Sequence, residues 1–322
     1  MTLFAADATP PHHRFLFKRV DNCETEGCHM DIWLPDGIHK QSKQGGIPIA
    51  ILIHGGAFTM GSSRDIPDNQ VEYYLEHDIA VVSLEYRMVP HVIHAEIRQD
   101  LLDAYIYIQQ RLNDRLAEEL KIDHPILDVQ RCIAFGGSAG ATSCLCLAAD
   151  IETHNDKCAA TFLALPQLKA MICAYPLTDP GNHFSQPRAA WAEKAPKMFP
   201  NDWELIKDFP TDGKAMATQT LNSFLYGCDA PYSPTDAALN LITPDYPPSY
   251  ILAALADTLI PVEHSFMLYD KLQEHGVESY ITKVEGAAHG FAERPASDWP
   301  QGMDYWKDAI KDSVDWAIAK VQ

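Results

Sequence analysis

Six short apolar runs, separated by stretches patterned as helices, constrain this chain more than any other feature of it. They are Ile47–Ile53, Ile79–Leu84, Arg131–Phe135, Lys169–Ala174, Tyr250–Ala254 and Ser279–Val284. Several are apolar without alternation, which is how a strand reads when both of its faces are buried. Between them, apolar residues recur at helical spacing: Ile97-Leu101-Tyr105-Ile108-Leu112, His264-Met267-Leu268-Lys271-Leu272 and Trp306-Ile310-Val314-Ile318. Strand and helix in alternation predict an α/β protein with a mostly parallel central sheet and helices on both faces. Ahead of these runs, Phe15–Val20 and Cys28–Leu34 read as short strands around the polar turn Asp21–Gly27.

The alternation stops between Leu177 and about Pro248. That stretch is rich in proline and aromatics, Trp191, Trp203, Phe209 and Phe224 among them, and holds one good helical pattern near Lys214–Leu225. An insertion of this kind predicts a cap over the sheet's C-terminal edge, where ligands bind in such folds; long surface loops are the alternative. The expected organisation is a single domain over 1–322, with the cap formed by roughly 1–14 and 177–248.

The 322 residues include 25 Lys+Arg against 44 Asp+Glu, a formal charge of -19. Such an excess repels phosphate backbones and anionic lipids, so nucleic acid and stable membrane association are poor partners. Met1–Phe17 has no apolar core or basic start of a signal peptide, and eighteen apolar residues never run together. Eight cysteines lack metal-type spacing. Cys23, Cys28 and His29 read as a hairpin with free thiols rather than a metal site, and no metal is expected. The expected compartment is reducing, hence cytoplasmic.

Two strings carry chemistry. Gly136-Gly137-Ser138-Ala139-Gly140 directly follows an apolar run, and His54-Gly55-Gly56-Ala57-Phe58 follows another. A serine at a strand-to-helix turn is a nucleophile pushed into the open, and a glycine-rich turn beside it supplies backbone N–H groups for an oxyanion. The base is expected beyond the last strand: His289, in Gly286-Ala287-Ala288-His289-Gly290-Phe291, follows Ser279–Val284. The orienting acid is expected at the end of the preceding strand, where Asp257 stands; Glu263 and Glu285 read as a helix-start charge and a solvated side chain. His54 reads as a brace for its loop, His264 and His275 as helix-surface residues, and His94 as a surface or loop residue. The order Ser138, Asp257, His289 is that of the α/β-hydrolase architecture. The N–H groups of Gly56, Ala57 and Ala139 form the expected oxyanion hole, with Gly55 allowing close backbone approach.

From about Ile47 to Phe291 the chain resembles the hormone-sensitive-lipase-like branch of the α/β-hydrolase esterases. The resemblance rests on His54–Ala57, Tyr86-Arg87 with Pro90 and Asp100, Gly136–Gly140, Tyr246-Pro247-Pro248, Asp257-Thr258-Leu259 and His289-Gly290-Phe291. It implies an α/β-hydrolase fold with a helical cap, hydrolysis of small carboxylic esters without a cofactor, and Ser138, Asp257 and His289 as the triad. Two departures stand out. Ala57 replaces a usual third glycine, and Gly137 replaces a frequent acid, taking a side chain from the pocket rim. Tyr86 and Arg87 read as structural.

The expected function is a serine carboxylesterase acting on an uncharged, partly apolar ester. Phe58, Gly137, Trp191, Phe224 and Phe291 are the expected substrate contacts. A formamidase such as kynurenine formamidase, a lactonase or a biosynthetic acyl hydrolase shares the triad, and a non-catalytic receptor is the alternative of another class. A homodimer is left open.

Overall fold

A computed structural model describes residues 9–21, 25–36, 38, 46–89, 91–158, 164–179 and 237–322. Eight strands form one sheet: β1 His13–Arg19, β2 Gly27–Trp33, β3 Ile47–Ile53, β4 Ala80–Leu84, β5 Leu127–Gly137, β6 Ala170–Ala174, β7 Ser249–Ala254 and β8 Ser279–Val284. Their spatial order is β1-β2-β4-β3-β5-β6-β7-β8. The first two strands run antiparallel to each other, β2 runs antiparallel to β4, and every other pairing is parallel. All eight expected strands are present, with ends differing by a few residues. The largest difference is in β5, which begins at Leu127 because Leu127 pairs with Ile47 across an irregular register.

The crossovers from β3 to β4, β4 to β5, β5 to β6 and β7 to β8 carry helices. Helices α1 Asp68–Glu76, α2 His94–Gln110, α3 Leu112–Leu120, α4 Ala139–Cys158, α5 Glu263–Glu274 and α6 Lys311–Ala319 cover the two faces. The unbroken apolar run of β3 explains itself by its neighbours. Ile49, Ile51 and Ile53 pack with α2, α3, α4 and α5 on one face. Ala50 and Leu52 pack with α1 and α6 on the other. A strand between two helical layers has no solvent side, and each buried Ile or Leu contributes about 1.5–3 kcal/mol. The face begun by Ile97, Leu101, Tyr105 and Ile108 breaks after Gln110, so Leu112 opens α3 instead.

Two histidines lie deeper than their sequence context suggests. His94, expected on a surface or loop, is the first residue of α2, and His264, expected on a helix surface, is the second residue of α5. Both are buried, His94 against the Phe58 ring and His264 against Thr178. Burial lowers both pKa values, that of His94 to about 3. Among the described residues no helix is long and apolar enough to cross a membrane. The expected cap lies almost entirely outside the described residues, including the 214–225 helix, Trp191 and Phe224.

Candidate active site

The C-terminal ends of four parallel strands lie along one rim of the sheet, with β6 between the second and third of them, and each leads into a segment singled out above. Strand β3 runs into His54-Gly55-Gly56, β5 into Ser138, β7 toward Asp257 and β8 toward His289. Ser138 adopts φ 55°, in the left-handed region that side chains disfavour by roughly 1–2 kcal/mol. Its backbone N–H donates to Ala174 O at 2.9 Å, which holds that conformation. The turn is tight on both sides. A Cβ on Gly136 would lie 2.3 Å from the carbonyl of Gly140, and a Cβ on Gly140 would lie 2.0 Å from Ile53 O. The two glycines are there because backbone touches backbone.

The three distant side chains come together. His289 Nδ1–H donates to Asp257 Oδ2 at 2.7 Å, which leaves Nε2 to accept the Ser138 hydroxyl at 2.9 Å. The Asp257 side chain is 1% exposed, and its other oxygen accepts the N–H groups of Leu259 (2.8 Å) and Ile260 (2.9 Å). Those two donors and the imidazole together fix the orientation of the carboxylate. Glu263 sits in the first turn of α5 and Glu285 is exposed.

The loop that follows β3 is a run of left-handed residues: Gly56 at φ 101°, Ala57 at 53° and Phe58 at 62°. Gly56 O accepts the N–H groups of Thr59 (2.9 Å) and Met60 (3.1 Å), which closes the turn. His54 braces it from below. Its Nδ1 lies 2.8 Å from Gly55 O, and its ring stacks on Tyr86 at 4.4 Å, while burial lowers its pKa. The Tyr86 hydroxyl donates to His54 O at 2.9 Å. Arg87 forks onto the fully buried Asp100 with two bonds of 2.8 Å. Tyr86 and Arg87 are therefore structural, as their pairing suggests.

Gly55 differs from its loop neighbours, because its N–H donates to Glu293 Oε1 at 3.0 Å and is not turned toward an oxyanion. Glu293 has no counterpart among the residues expected at the site. It is 6% exposed, its Oε2 accepts the Tyr175 hydroxyl at 3.0 Å, and burial raises its pKa. Gly137 explains how it fits: a Cβ there would lie 2.3 Å from Glu293 Oε2. The missing side chain at position 137 thus makes room for a carboxylate rather than opening the pocket rim. The unusual glycine, taken with an acid four residues beyond His289, is the signal that points to it.

Phe58 and Phe291, expected as substrate contacts, are core residues. Phe58 meets His94 edge-on at 5.2 Å, and Phe291 packs on Tyr175 and Tyr305 at 5.4 and 5.1 Å. Both are 2% exposed. Each ring is packed against aromatic neighbours within the fold. Among the described residues no cluster of His, Cys, Asp or Glu has the makings of a metal site. The thiols of Cys28, Cys132 and Cys173 are pushed up to about 12 by burial, which keeps them protonated and inert.

Residues 50–293 match a family described by its alpha/beta hydrolase fold. Among curated proteins, the chain is 25% identical over 342 residues to the non-reducing polyketide synthase mapC' of Penicillium brevicompactum, an alignment over 91% of this chain and 15% of that protein. It is 27% identical over 341 residues to the non-reducing polyketide synthase adrD of Penicillium roqueforti, covering 87% and 13%. The chain thus spans about a seventh of the length of these relatives. Among solved structures, esterase 2 of Thermogutta terrifontis superposes with a TM-score of 0.59 at 19% identity in its propionate-bound form, over 95% of this chain and 91% of that one. The same esterase phosphonylated by sarin gives 0.62 at 20%, over 95% and 92%.

Proposed function

Because the chain belongs to this family of the alpha/beta hydrolase fold, we propose that it is a carboxylic ester hydrolase working through an acyl-enzyme on Ser138. The observation that carries the proposal is the unbroken hydrogen-bond path from Ser138 Oγ through His289 to Asp257. In this reading His289 Nε2 takes the hydroxyl proton as Oγ attacks the ester carbonyl, and Asp257 stabilises the imidazolium that forms. The N–H groups of Gly56, Ala57 and Ala139 receive the charge on the carbonyl oxygen, where one donor is typically worth about 10²–10³ in turnover. His289 then returns the proton to the departing alcohol. Water, deprotonated by the same imidazole, releases the acid and restores Ser138.

The left-handed turn at Ser138 supports the assignment, since about 1–2 kcal/mol of backbone strain is characteristic of a functional site. The substrate is an uncharged, partly apolar ester, and the chain's net charge of -19 disfavours polyanions. The six described cysteines carry free thiols, which fits the reducing cytoplasm as its place of work. The similarity to polyketide synthases favours one narrower reading, a biosynthetic acyl hydrolase that releases an acyl chain from an ester or thioester.

The test is direct. The wild-type protein is expected to hydrolyse p-nitrophenyl esters and to gain the mass of a fluorophosphonate probe. Ser138→Ala is expected to lose both, with turnover down by about 10³-fold or more. Undiminished turnover by Ser138→Ala sinks the proposal. Comparing an oxoester with the thioester of the same acyl group decides the narrower reading.

A further inference from the structure

One buried acid beside the site has no part in the scheme above, and its position is specific. Glu293 stands four residues beyond His289 in the same loop, yet its oxygens reach two other segments. Oε1 accepts the N–H of Gly55, 238 residues away in sequence, on the loop that presents Gly56 and Ala57. Oε2 accepts the hydroxyl of Tyr175, at the exit of β6, whose ring lies 4.9 Å from that of His289. Tyr175 itself is held at φ 38°, so its placement costs backbone strain. Two glycines leave the room for this carboxylate. A Cβ on Gly137 would meet Oε2 at 2.3 Å, and one on Gly55 would meet Oε1 at 2.9 Å.

Burying a carboxylate is costly unless donors surround it. Both polar contacts of Glu293 are donors, which offset the burial that raises its pKa. The arrangement fixes one peptide plane. By accepting Gly55 N–H, Glu293 sets the orientation of the chain just before the two amides that face the oxyanion. Because Glu293 itself stands on the loop that carries the base, this one bond ties the two loops together, and the Tyr175 hydroxyl at the exit of β6 holds the second carboxylate oxygen in place.

We propose that Glu293 is the positioning residue of the oxyanion loop, locking the Gly55–Ala57 backbone to the His289 loop. This rests on the serine-hydrolase reading of the site. A loop positioned in this way serves the transition state more than the bound ester, so its loss lowers kcat and leaves KM almost unmoved.

The test compares Glu293→Ala, Glu293→Gln, Tyr175→Phe and the double variant Glu293→Ala/Gly137→Asp on a p-nitrophenyl ester, with Ser138→Ala alongside. Circular dichroism and thermal melting establish which variants are folded. Glu293→Ala is expected to lower kcat by about 10–100-fold with KM within about threefold, a part of the full oxyanion-hole effect. In Glu293→Gln the amide oxygen still serves Gly55, but its NH₂ cannot accept the tyrosine proton, so the loss is smaller. The aspartate at position 137 brings a carboxylate to the vacated place from the serine side, and recovers about tenfold or more of the lost kcat. Tyr175→Phe, which keeps the Gly55 bond, loses less than Glu293→Ala. If Glu293→Ala does not fold, Glu293→Gln decides through its kcat against its KM. Folded variants with kcat within twofold of wild type, or with a loss carried by KM instead of kcat, overturn the proposal. An inactive Ser138→Ala in that same set keeps the hydrolase reading intact, whereas an active one removes the basis of both.

Discussion

Ala57 is a residue in the wrong conformation for its side chain. At φ 53° its Cβ crowds the following carbonyl, a cost of roughly 1 kcal/mol that glycine does not bear. In the proposed reaction, position 57 supplies only an N–H. Ala57→Gly is therefore expected to keep activity within about threefold and to gain up to about 1 kcal/mol, less the greater entropy of the unfolded glycine. Thermal melting together with ester turnover checks this, and a fall in Tm with lost activity would show that the methyl group props the loop. Ser138 carries a similar strain without the same remedy, because its side chain is the one the site is built around. At this scale the sequence is informative where chemistry demands a residue type and silent where space does. Ser138, Asp257 and His289 announce themselves by order and by their strand exits. Glu293 does not, because nothing local shows that Gly137 and Gly55 open onto the same buried place. The aromatic side chains of Phe58 and Phe291 mislead for a related reason: a motif fixes where a ring is attached, and packing decides which way it turns.

Between elements, the most heavily loaded junction lies where β1, β4 and α2 meet. Asp100, fully buried on α2, accepts from the Arg87 fork just beyond β4 and from Lys18 Nζ on β1 at 2.5 Å. Asp103 takes a second bond from the same lysine at 2.7 Å. Removing one partner of a buried pair leaves a charge that the interior cannot solvate. Arg87→Ala is expected to destabilise the fold by about 3 kcal/mol, while Arg87→Lys, lacking the fork, recovers only part of it. Urea unfolding curves with unchanged slope measure the difference, and a loss under about 1 kcal/mol would mean that Lys18 alone satisfies the aspartate. The strands themselves were legible because burial on two faces writes an unbroken apolar run, as in β3. Helix ends were less so. The helical spacing continues through Leu112, but the backbone turns at Arg111 (φ -132°), a choice made by the packing of α3 rather than by propensity.

For the molecule as a whole, the buried histidines set the response to acid. His54, His94 and His264 all have lowered pKa values in the folded protein, chiefly through burial, with Arg98 adding to the effect at His94. Below pH 6.5 the unfolded chain binds protons that the folded one refuses, so stability falls as the pH falls. For His94 the loss continues down to its folded pKa of about 3, at up to about 1.4 kcal/mol per pH unit. Glu293 works in the opposite sense, since its raised pKa makes the folded chain the better proton binder just above 4.5. Glu152, also raised, acts with Glu293, while the lowered Glu274 and Asp315 act with the three histidines, so the balance favours lost stability in acid. Denaturant midpoints are expected to drop between pH 6.5 and 4, and His94→Gln is expected to flatten that drop; an equally steep decline in the variant would move the cause elsewhere.

The parts of the site are far apart along the chain. Ser138 and His289 are separated by 151 positions, and Gly55 and Glu293 by 238. Contacts that close such long loops form slowly, because the chain must be gathered before they repay it. During refolding from denaturant, helical signal should therefore return well ahead of esterase turnover, with catalytic competence emerging as one of the last properties to be restored.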